Sequence, residues 1–487
     1  MKDVKPKLIG IDVGTTAVKA ALIDGAGQVL KSFAERYPTQ RPGPSQVEQQ
    51  SGDWLSRVLK ALVDLSESLP AGAINAVGLC SQVNTHVFVD DKGEPLLPAY
   101  TWADTRCAGI AAELDACVRA QDKLLWWGAP LPIDASHVLA RMAYVARHHP
   151  HVWMKTRWVM APKDYCIFKL TGEVTADPMT CFGLIDQNLK LIPELINLVP
   201  GAATRLPPIF GFTTLAGRIR VGLPCEGVPV VVGAMDAWSG LLGAGVCEDG
   251  QGLYLSGTSE ILGIVSEIKV PTPGVITFAK CEGINLHAAP TQSGGASVEW
   301  LARIIGNTPS EIATLAAKAD LQSTPLFLPH LEGERAPLWD ATSRGSFAGL
   351  SSATGSPELA RAVLEGVAYS SRLAFDSLEA SAACIPQVIH HSGGGAGSDI
   401  WCQIRADVLG LPLRRTMMRD AGVLGAALLA GVGVKLFPSL RQAAKDFVQF
   451  DKTFDPNPKE NARHSARFGG YKMLYEQLKP LQGLWKA

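Results

Sequence analysis

The chain has 487 residues, 47% of them apolar and 19% charged, which suits packed globular structure and excludes a disordered polymer. That length exceeds one hydrophobic core and calls for two domains. A formal net charge of −1 weighs against nucleic acid or an anionic membrane as the main partner, because those ligands select a basic face. Ten cysteines are scattered from Cys80 to Cys402 with no Cys-x-x-Cys pair. Neither a disulfide scaffold nor a structural zinc site is expected, and a reducing cytoplasm fits. Met1–Lys7 is charged and lacks the apolar centre of a signal peptide.

Leu8–Asp24 reads as two apolar strands joined by the turn Gly14-Thr15-Thr16, with Asp12 delivered to the turn's mouth. Backbone N–H groups and hydroxyls in such a turn can hold phosphate oxygens. Asp12 can then reach a phosphate-bound Mg²⁺, a hard cation that takes oxygen ligands. The alternative is a tight hairpin with an incidental Asp. A third strand follows near Val29–Arg36, then a loop at Arg41–Ser45. Trp54, Val58, Leu62, Leu65 and Leu69 recur at helical spacing, with Ser51 or a neighbour as cap. Ile74–Cys80 is a buried strand, Val87–Leu97 a hairpin turning at Asp91-Lys92-Gly93, and His137–His148 and Tyr165–Leu170 are helical.

Gly227–Val246 is long and apolar but carries Asp236 at its middle, so it is a buried strand, a turn and a helix rather than a membrane span. Asp236, at a strand end between Met235 and Ala237, is placed to be a general base, or merely a turn residue or helix cap. A polar, Gly-rich stretch at Val246–Gly252 marks a change of domain, giving 1–248 and 249–487. The next segment, Gly252–Val265, repeats the opening pattern around Gly257-Thr258-Ser259. Ser356-Pro357-Glu358 starts a helix running to about Leu378. Val388–Asp399 is a strand entering the glycine-rich turn Gly393-Gly394-Gly395-Ala396. A helix at Asp399–Leu409, a strand at Leu411–Arg415 and a helix at Gly422–Ala430 follow, then a more polar tail from Phe437. Strands alternating with helices give an α/β class, and two related hairpins imply duplication.

These four strand ends, in this order, resemble those of the FGGY carbohydrate kinases. Pro162-Lys163-Asp164-Tyr165, Leu331–Pro337, Ala362–Val367 and Gly393–Ala396 point to the xylulokinase-like branch. The resemblance spans about Leu8 to Val434. It implies two ribonuclease-H-like domains of the actin, Hsp70 and sugar kinase superfamily around a central cleft that closes on its ligands. The first domain would bind the sugar and the second, with its helical tail, the nucleotide. Asp236 would be the base and, with Asp12, lie beside the metal. Gly14, Thr15, Thr16 and Lys19, with Gly257, Thr258 and Ser259, would hold phosphates of ATP. Gly393, Gly394, Gly395 and Ala396 would approach the adenosine and α-phosphate, where side-chain-free backbone permits contact.

The sugar side is implied to be Gln82, Val83, Asn84, Trp102, Asp104 and Asp236. Here the chain departs from its relatives, since Val83-Asn84 replaces Met-His and Ala103 replaces Asn. Trp102 would wall a sugar face and Asp104 accept hydroxyls; a core Trp with an Asp104–Arg106 ion pair is the competing account. His86 shares a face with Asn84 if the strand continues. The implied reaction is ATP-dependent phosphorylation of a small sugar or polyol, a xylulose-like ketopentose first, with a pentitol, tetritol or sugar acid open. A competing class is an actin- or Hsp70-like ATPase without sugar kinase activity. No nucleic acid or membrane partner is expected, and a homodimer is left open.

Overall fold

The computed structural model describes residues 6–70 and 72–481. The chain forms two compact units, one from Met1–Gly245 with Asp420–Val448, the other from Val246–Arg419 with Gln449–Ala487.

The first unit opens with β1 (Lys7–Val13), β2 (Ala17–Asp24) and β3 (Val29–Arg36), an antiparallel meander. β1 pairs with β2 from Lys7↔Asp24 to Val13↔Val18. α1 (Ser51–Ser66) buries Trp54, Val58, Leu62 and Leu65 at the anticipated spacing; its N-cap is Gln50, which makes no side-chain cap bond, and Ser51 is the first helical residue. β4 (Ala76–Ser81) is buried at every position and lies parallel to β1, as a doubly covered strand should be. α2 (Val138–His148) and α3 (Pro162–Thr171) follow. β5 (Leu215–Arg218), β6 (Pro229–Val231) and β7 (Ala234–Met235) complete the sheet, β6 and β7 both parallel to β4. The order is β3-β2-β1-β4-β6-β5, with β7 beside β4. α4 (Asp236–Gly243) begins directly where β7 ends. One apolar core lies between this sheet and α1 and α3; a second gathers Phe88, Tyr100, Leu139 and Met142 around α2.

The second unit repeats the plan. β8 (Gly252–Ser256) and β9 (Glu260–Val265) form the hairpin, and β10 (Ile276–Thr277) and β11 (Leu286–Thr291) extend it antiparallel. α5 (Gly295–Ile305) and the long α6 (Ser356–Ala382) precede β12 (Ile389–Gly393), which lies parallel to β8. α6 starts one residue after its N-cap Gly355, whose N–H bonds the Glu358 carboxylate at 2.9 Å. α7 (Asp399–Leu409) and β13 (Leu413–Thr416) come next.

At Asp420 the chain re-enters the first unit, where α8 (Ala421–Gly433) packs on β1, β4 and α4. This corrects an unbroken second domain from 249 to 487. The reason is steric. A Cβ on Gly10 would stand 2.0 Å from the Val423 carbonyl oxygen, one on Gly78 1.9 Å from that of Ala426, and one on Gly425 1.8 Å from that of Ser239. Glycines on both partners let the helix backbone touch the sheet and α4, a seat that no side chain could share. The tail then returns to the second unit. There β14 (Phe450–Phe454) pairs with β13, and α9 (Pro458–Leu478) buries His464, Phe468, Tyr471 and Tyr475. Among the described residues no helix is long and apolar enough to cross a membrane.

Replacing Gly425 with Ala is expected to lower the thermal midpoint, because overpacking a tight core costs about 1–3 kcal/mol. Gly469→Ala, in exposed helix with open space around its Cα, should raise it slightly, since Ala gains about 1 kcal/mol over Gly there. Circular dichroism melts of the two variants check both signs.

Candidate active site

Asp12 and Asp236 are brought to the same end of the first sheet by strand register. Asp12 lies opposite Cys80 on β4, and Ala234 of β7 lies opposite the same Cys80 from the other side. Two strand spacings, about 10 Å, therefore separate the β1 and β7 tips. β7 reaches β4 through a kink at Gly233, whose φ is +72° and whose Cβ would fall 1.9 Å from the Leu79 carbonyl oxygen. Asp236 follows as the first residue of α4, half-buried, with Oδ1 accepting from the Ala237 N–H at 2.7 Å.

Asp12 is half-buried, and its Oδ1 has neither exposed surface nor a hydrogen-bond partner. Burial pushes its carboxyl up to about 6, with Lys19 pulling the other way. The Cys80 thiol, which donates to the Gly422 carbonyl at 3.4 Å, is pushed up by burial and then by the fields of Asp12 and Asp236.

In the first turn, the Gly14 N–H is used on the Ala17 carbonyl, and Tyr37 Oη donates to the Gly14 carbonyl. A phosphate here must therefore be held by the hydroxyls and the other backbone groups. Thr16 is exposed and Thr15 half-buried. Lys19 Nζ lies 2.6 Å from Asp420 Oδ1, a partner 401 residues away that no local pattern suggests. Trp102 Nε1 donates to Thr15 Oγ1 at 3.1 Å, which ties the tryptophan to the Gly14–Thr16 turn.

Gln49, which sequence reasoning missed, sits at the hub of this region. Its amide donates to the Thr15 carbonyl (2.7 Å) and Thr39 Oγ1 (2.8 Å), and accepts from Gln82 Nε2 (2.8 Å) and Trp54 Nε1 (3.1 Å). Gln82 is buried, and its Oε1 has no partner.

The strand stops at Ser81. Val83 and Asn84 form a half-buried bend, Asn84 in the left-handed region at φ 51°, with its amide on Ser136 Oγ at 3.1 Å. His86 therefore does not share a strand face with Asn84. It is buried against Arg141 at 2.9 Å, and burial together with that cation drives its pKa well down, making it a structural residue. Asp104 as a sugar ligand is likewise corrected. Its carboxylate is fully buried and accepts from Arg106 Nε (2.9 Å), Arg106 Nη2 (2.7 Å) and the Val47 N–H (2.7 Å). Glu48 adds a second carboxylate to Arg106 at 2.7 Å, so the group is an internal ion pair.

In the second unit, Gly257 and Thr258 are exposed and Ser259 half-buried. The Gly257 N–H closes the turn on the Ser259 carbonyl, and α5 braces it through Gly295 N–H to Gly257 O (2.9 Å) and Ala296 N–H to Thr258 O (3.0 Å). Arg335 Nη2 donates to Ser259 Oγ (3.1 Å) and to the Thr291 carbonyl (2.7 Å). Buried Glu334, beside it, accepts from Ser293 Oγ at 2.6 Å and Ser370 Oγ at 2.8 Å.

β12 ends at Gly393, with φ +96° and no room for a Cβ, which would lie 2.3 Å from the Ser256 carbonyl oxygen. Gly394 is exposed with open space, and Gly395 is half-buried. Ala396 differs from its neighbours: it is fully buried, and its carbonyl accepts from Arg415 at 3.1 Å. The exposed part of the turn is therefore Gly394 with Gly395. Arg405 lies beneath, fully buried, joining Gly395 O (3.1 Å), Ser256 Oγ (2.6 Å) and Glu260 (2.8 Å).

Comparison with known proteins accords with this arrangement. The N-terminal domain model of the FGGY family of carbohydrate kinases matches residues 7–243, and the C-terminal domain model matches residues 252–434. Xylulose kinase of Escherichia coli strain K12 is 30% identical over 489 residues, covering 97% of this chain and 99% of that protein. Crystal structures of gluconate kinase and of ligand-bound xylulose kinase, both from Lactobacillus acidophilus, each align at a TM-score of 0.89 and 26% identity, over 99% of this chain and 100% of the other. With both domain models matched in order over most of its length, the chain belongs to the FGGY family of carbohydrate kinases and is an ATP-dependent sugar kinase.

Proposed function

We propose that the chain transfers the γ-phosphoryl group of ATP to a hydroxyl of a xylulose-like ketopentose, with Asp236 as the base. One observation carries this reading: β1 and β7 flank β4 in register, so that two carboxylates leave the sheet at the same end. Phosphoryl transfer to an alcohol needs the phosphate charge neutralised, the two oxygens held in line and the hydroxyl proton removed. Asp236 takes that proton as the new O–P bond forms and ADP leaves.

Asp12, with its unpartnered buried Oδ1, fits the role of the carboxylate facing Mg²⁺. Among the described residues no group of three or more His, Cys, Asp or Glu side chains forms a metal cage. That suits Mg²⁺, which is commonly bound by one or two carboxylates plus substrate phosphates. When bound, the ion neutralises phosphate charge. Lys19 and the Thr15 and Thr16 hydroxyls hold phosphate oxygens from the first unit, in a turn that Gly14 closes through its N–H to the Ala17 carbonyl. Gly257, Thr258, Ser259 and the Gly393–Gly395 turn serve the nucleotide from the second.

The sugar side favours an uncharged acceptor. Gln82, Asn84 and Trp102 offer neutral donors and acceptors. The cations nearby are already spent: Arg106 on Asp104 and Glu48, and Arg141, fully buried, on the carbonyls of Tyr100 and Thr101. Relatives named xylulose kinase share this full-length match, and the similar gluconate kinase structure makes gluconate the acceptor to test against it. The cytoplasm remains the compartment proposed, and the oligomeric state is open to a homodimer.

Three outcomes are expected. In an ADP-release assay across ketopentoses, pentitols, tetritols and gluconate, D-xylulose should give the highest kcat/KM; a best rate on gluconate would replace the substrate assignment, and sugar-independent hydrolysis alone would end it. Asp236→Asn should cut kcat by about 10²–10⁴-fold, the usual worth of a general base, while ATP affinity by calorimetry stays within a few-fold.

Asp12→Asn should separate stability from activity. Because the folded carboxyl titrates near 6 rather than 3.8, the folded state holds its proton more tightly than the unfolded chain. Stability is therefore lost as pH rises from about 4 to about 6, and the full cost is present above that. The Asn variant should melt higher than the parent at about pH 8, melt equally at about pH 4, and be less active. Equal shifts at both pH values would contradict this account of the carboxyl.

A further inference from the structure

Lys163 is the residue of the Pro162–Tyr165 motif that the proposed reaction leaves without a task. Its side chain has no exposed surface. The ammonium lies 2.5 Å from Asp164 Oδ1 and 2.8 Å from Asp177 Oδ2, and it donates to the Val232 carbonyl at 3.2 Å. Its own N–H donates to Ser81 Oγ at 3.1 Å. Asp177 is fixed separately by the N–H groups of Met179 and Thr180, each at 2.9 Å.

The two groups that Lys163 holds are not equivalent to the rest of the core. Val232 is the residue between β6 and the Gly233 kink, three positions before β7 ends, and Asp236 follows at once. Ser81 is the last residue of β4, and Gln82 follows it. The buried ammonium thus grips the backbone that aims Asp236, while the backbone N–H of the same residue anchors the strand end that presents Gln82, a bond that any side chain at 163 would keep. The break at Gly233 lets β7 rejoin β4, and a charge-assisted bond, roughly twice as strong as a neutral one, takes up the buried Val232 carbonyl just before it. A buried lysine is costly unless paired, and here two carboxylates pair it.

We infer that Lys163, held by Asp164 and Asp177, is a positioning residue that sets Asp236 and Gln82 relative to each other for phosphoryl transfer. The inference rests on the reading of Asp236 as the base.

The test uses the full-length enzyme with ATP, and with D-xylulose or whichever acceptor the panel selects. Lys163→Met alone would strand two buried carboxylates, so it is combined with Asp164→Asn, leaving Asp177 on its own backbone donors. All rates are taken well below each variant's melting point. The double variant should lose at least 10-fold in kcat while ATP affinity measured by calorimetry changes less than about 3-fold, because the damage is confined to the sheet end that carries the base. Placed on Asp236→Asn, the same pair of changes should cost no further kcat, since residues acting through one group are not additive.

A full-rate double variant, or losses that multiply with Asp236→Asn, would overturn the inference. An active Asp236→Asn enzyme would instead remove the base assignment, so the two failures are distinguishable. Ser81→Ala tests the other arm in a variant that keeps the ion triad and its fold. It should raise the sugar KM about 3-fold or more with the ATP KM unchanged, and an unmoved sugar KM would count against the Gln82 half.

Discussion

The constraint on which the first unit depends is the parallel pairing of β4 with β1 on one side and with β6 and β7 on the other. Side chains alternate along a strand, so a slip of one residue in either pairing would turn Asp12 or the approach to Asp236 to the opposite face. Register is protected by what packs on it. Gly10 and Gly78 sit on adjacent strands and accept the backbone of α8, which only a glycine pair in this alignment allows. The late chain segment Asp420–Val448 thus covers the first sheet with helix and is also the source of Asp420, the partner of Lys19.

Duplication is visible in the pairing. In both units an antiparallel hairpin turns at Gly-Thr-Thr or Gly-Thr-Ser, its first strand pairs in parallel with a later strand, and the first glycine N–H closes the turn. The two copies have diverged at the strand ends. The first keeps carboxylates there, at Asp12 and Asp236. The second keeps glycines and hydroxyls, with Glu260 withdrawn into a buried pair with Arg405. That divergence fits an assignment of proton chemistry to one copy and nucleotide to the other.

Most strands and helices were legible, because period and turn chemistry are local. The strand–turn–helix around Asp236, the helix Asp399–Leu409 and the hairpin turns follow from apolar runs punctuated by glycine. The misses share a cause: they are contacts between distant residues. Gln49 reaches Thr15 and Gln82 across more than thirty positions, and Asp420 reaches Lys19 across 401. At Asp104 the local ion pair with Arg106, the alternative legible in the sequence, is the one formed, with distant Glu48 joining it; at His86 the partner is Arg141, 55 residues on. The shared face of Asn84 and His86 depended on the strand continuing; it ends at Ser81, and Asn84 takes a left-handed backbone, a conformation that Asn tolerates better than most residues. The return of α8 to the first unit was hidden for the same reason, since its glycine seat lies on strands more than 300 residues earlier.

Burial sorts the charges by duty. Lys163 and Arg405 are each sealed away from water, each with carboxylate and backbone or hydroxyl partners, and each lies under strand ends. Removing one member of such a set strands a buried charge, so these groups hold their local geometry firmly. Lys19 and Asp420 are nearly half-exposed, at 45% and 47%. A pair of that kind is worth about 0–1 kcal/mol, because water screens it. A phosphate carrying more than one negative charge can therefore displace Asp420 from Lys19 at little expense. On the proposed reading, the cation that changes partners is the exposed one, and the enclosed cations keep theirs.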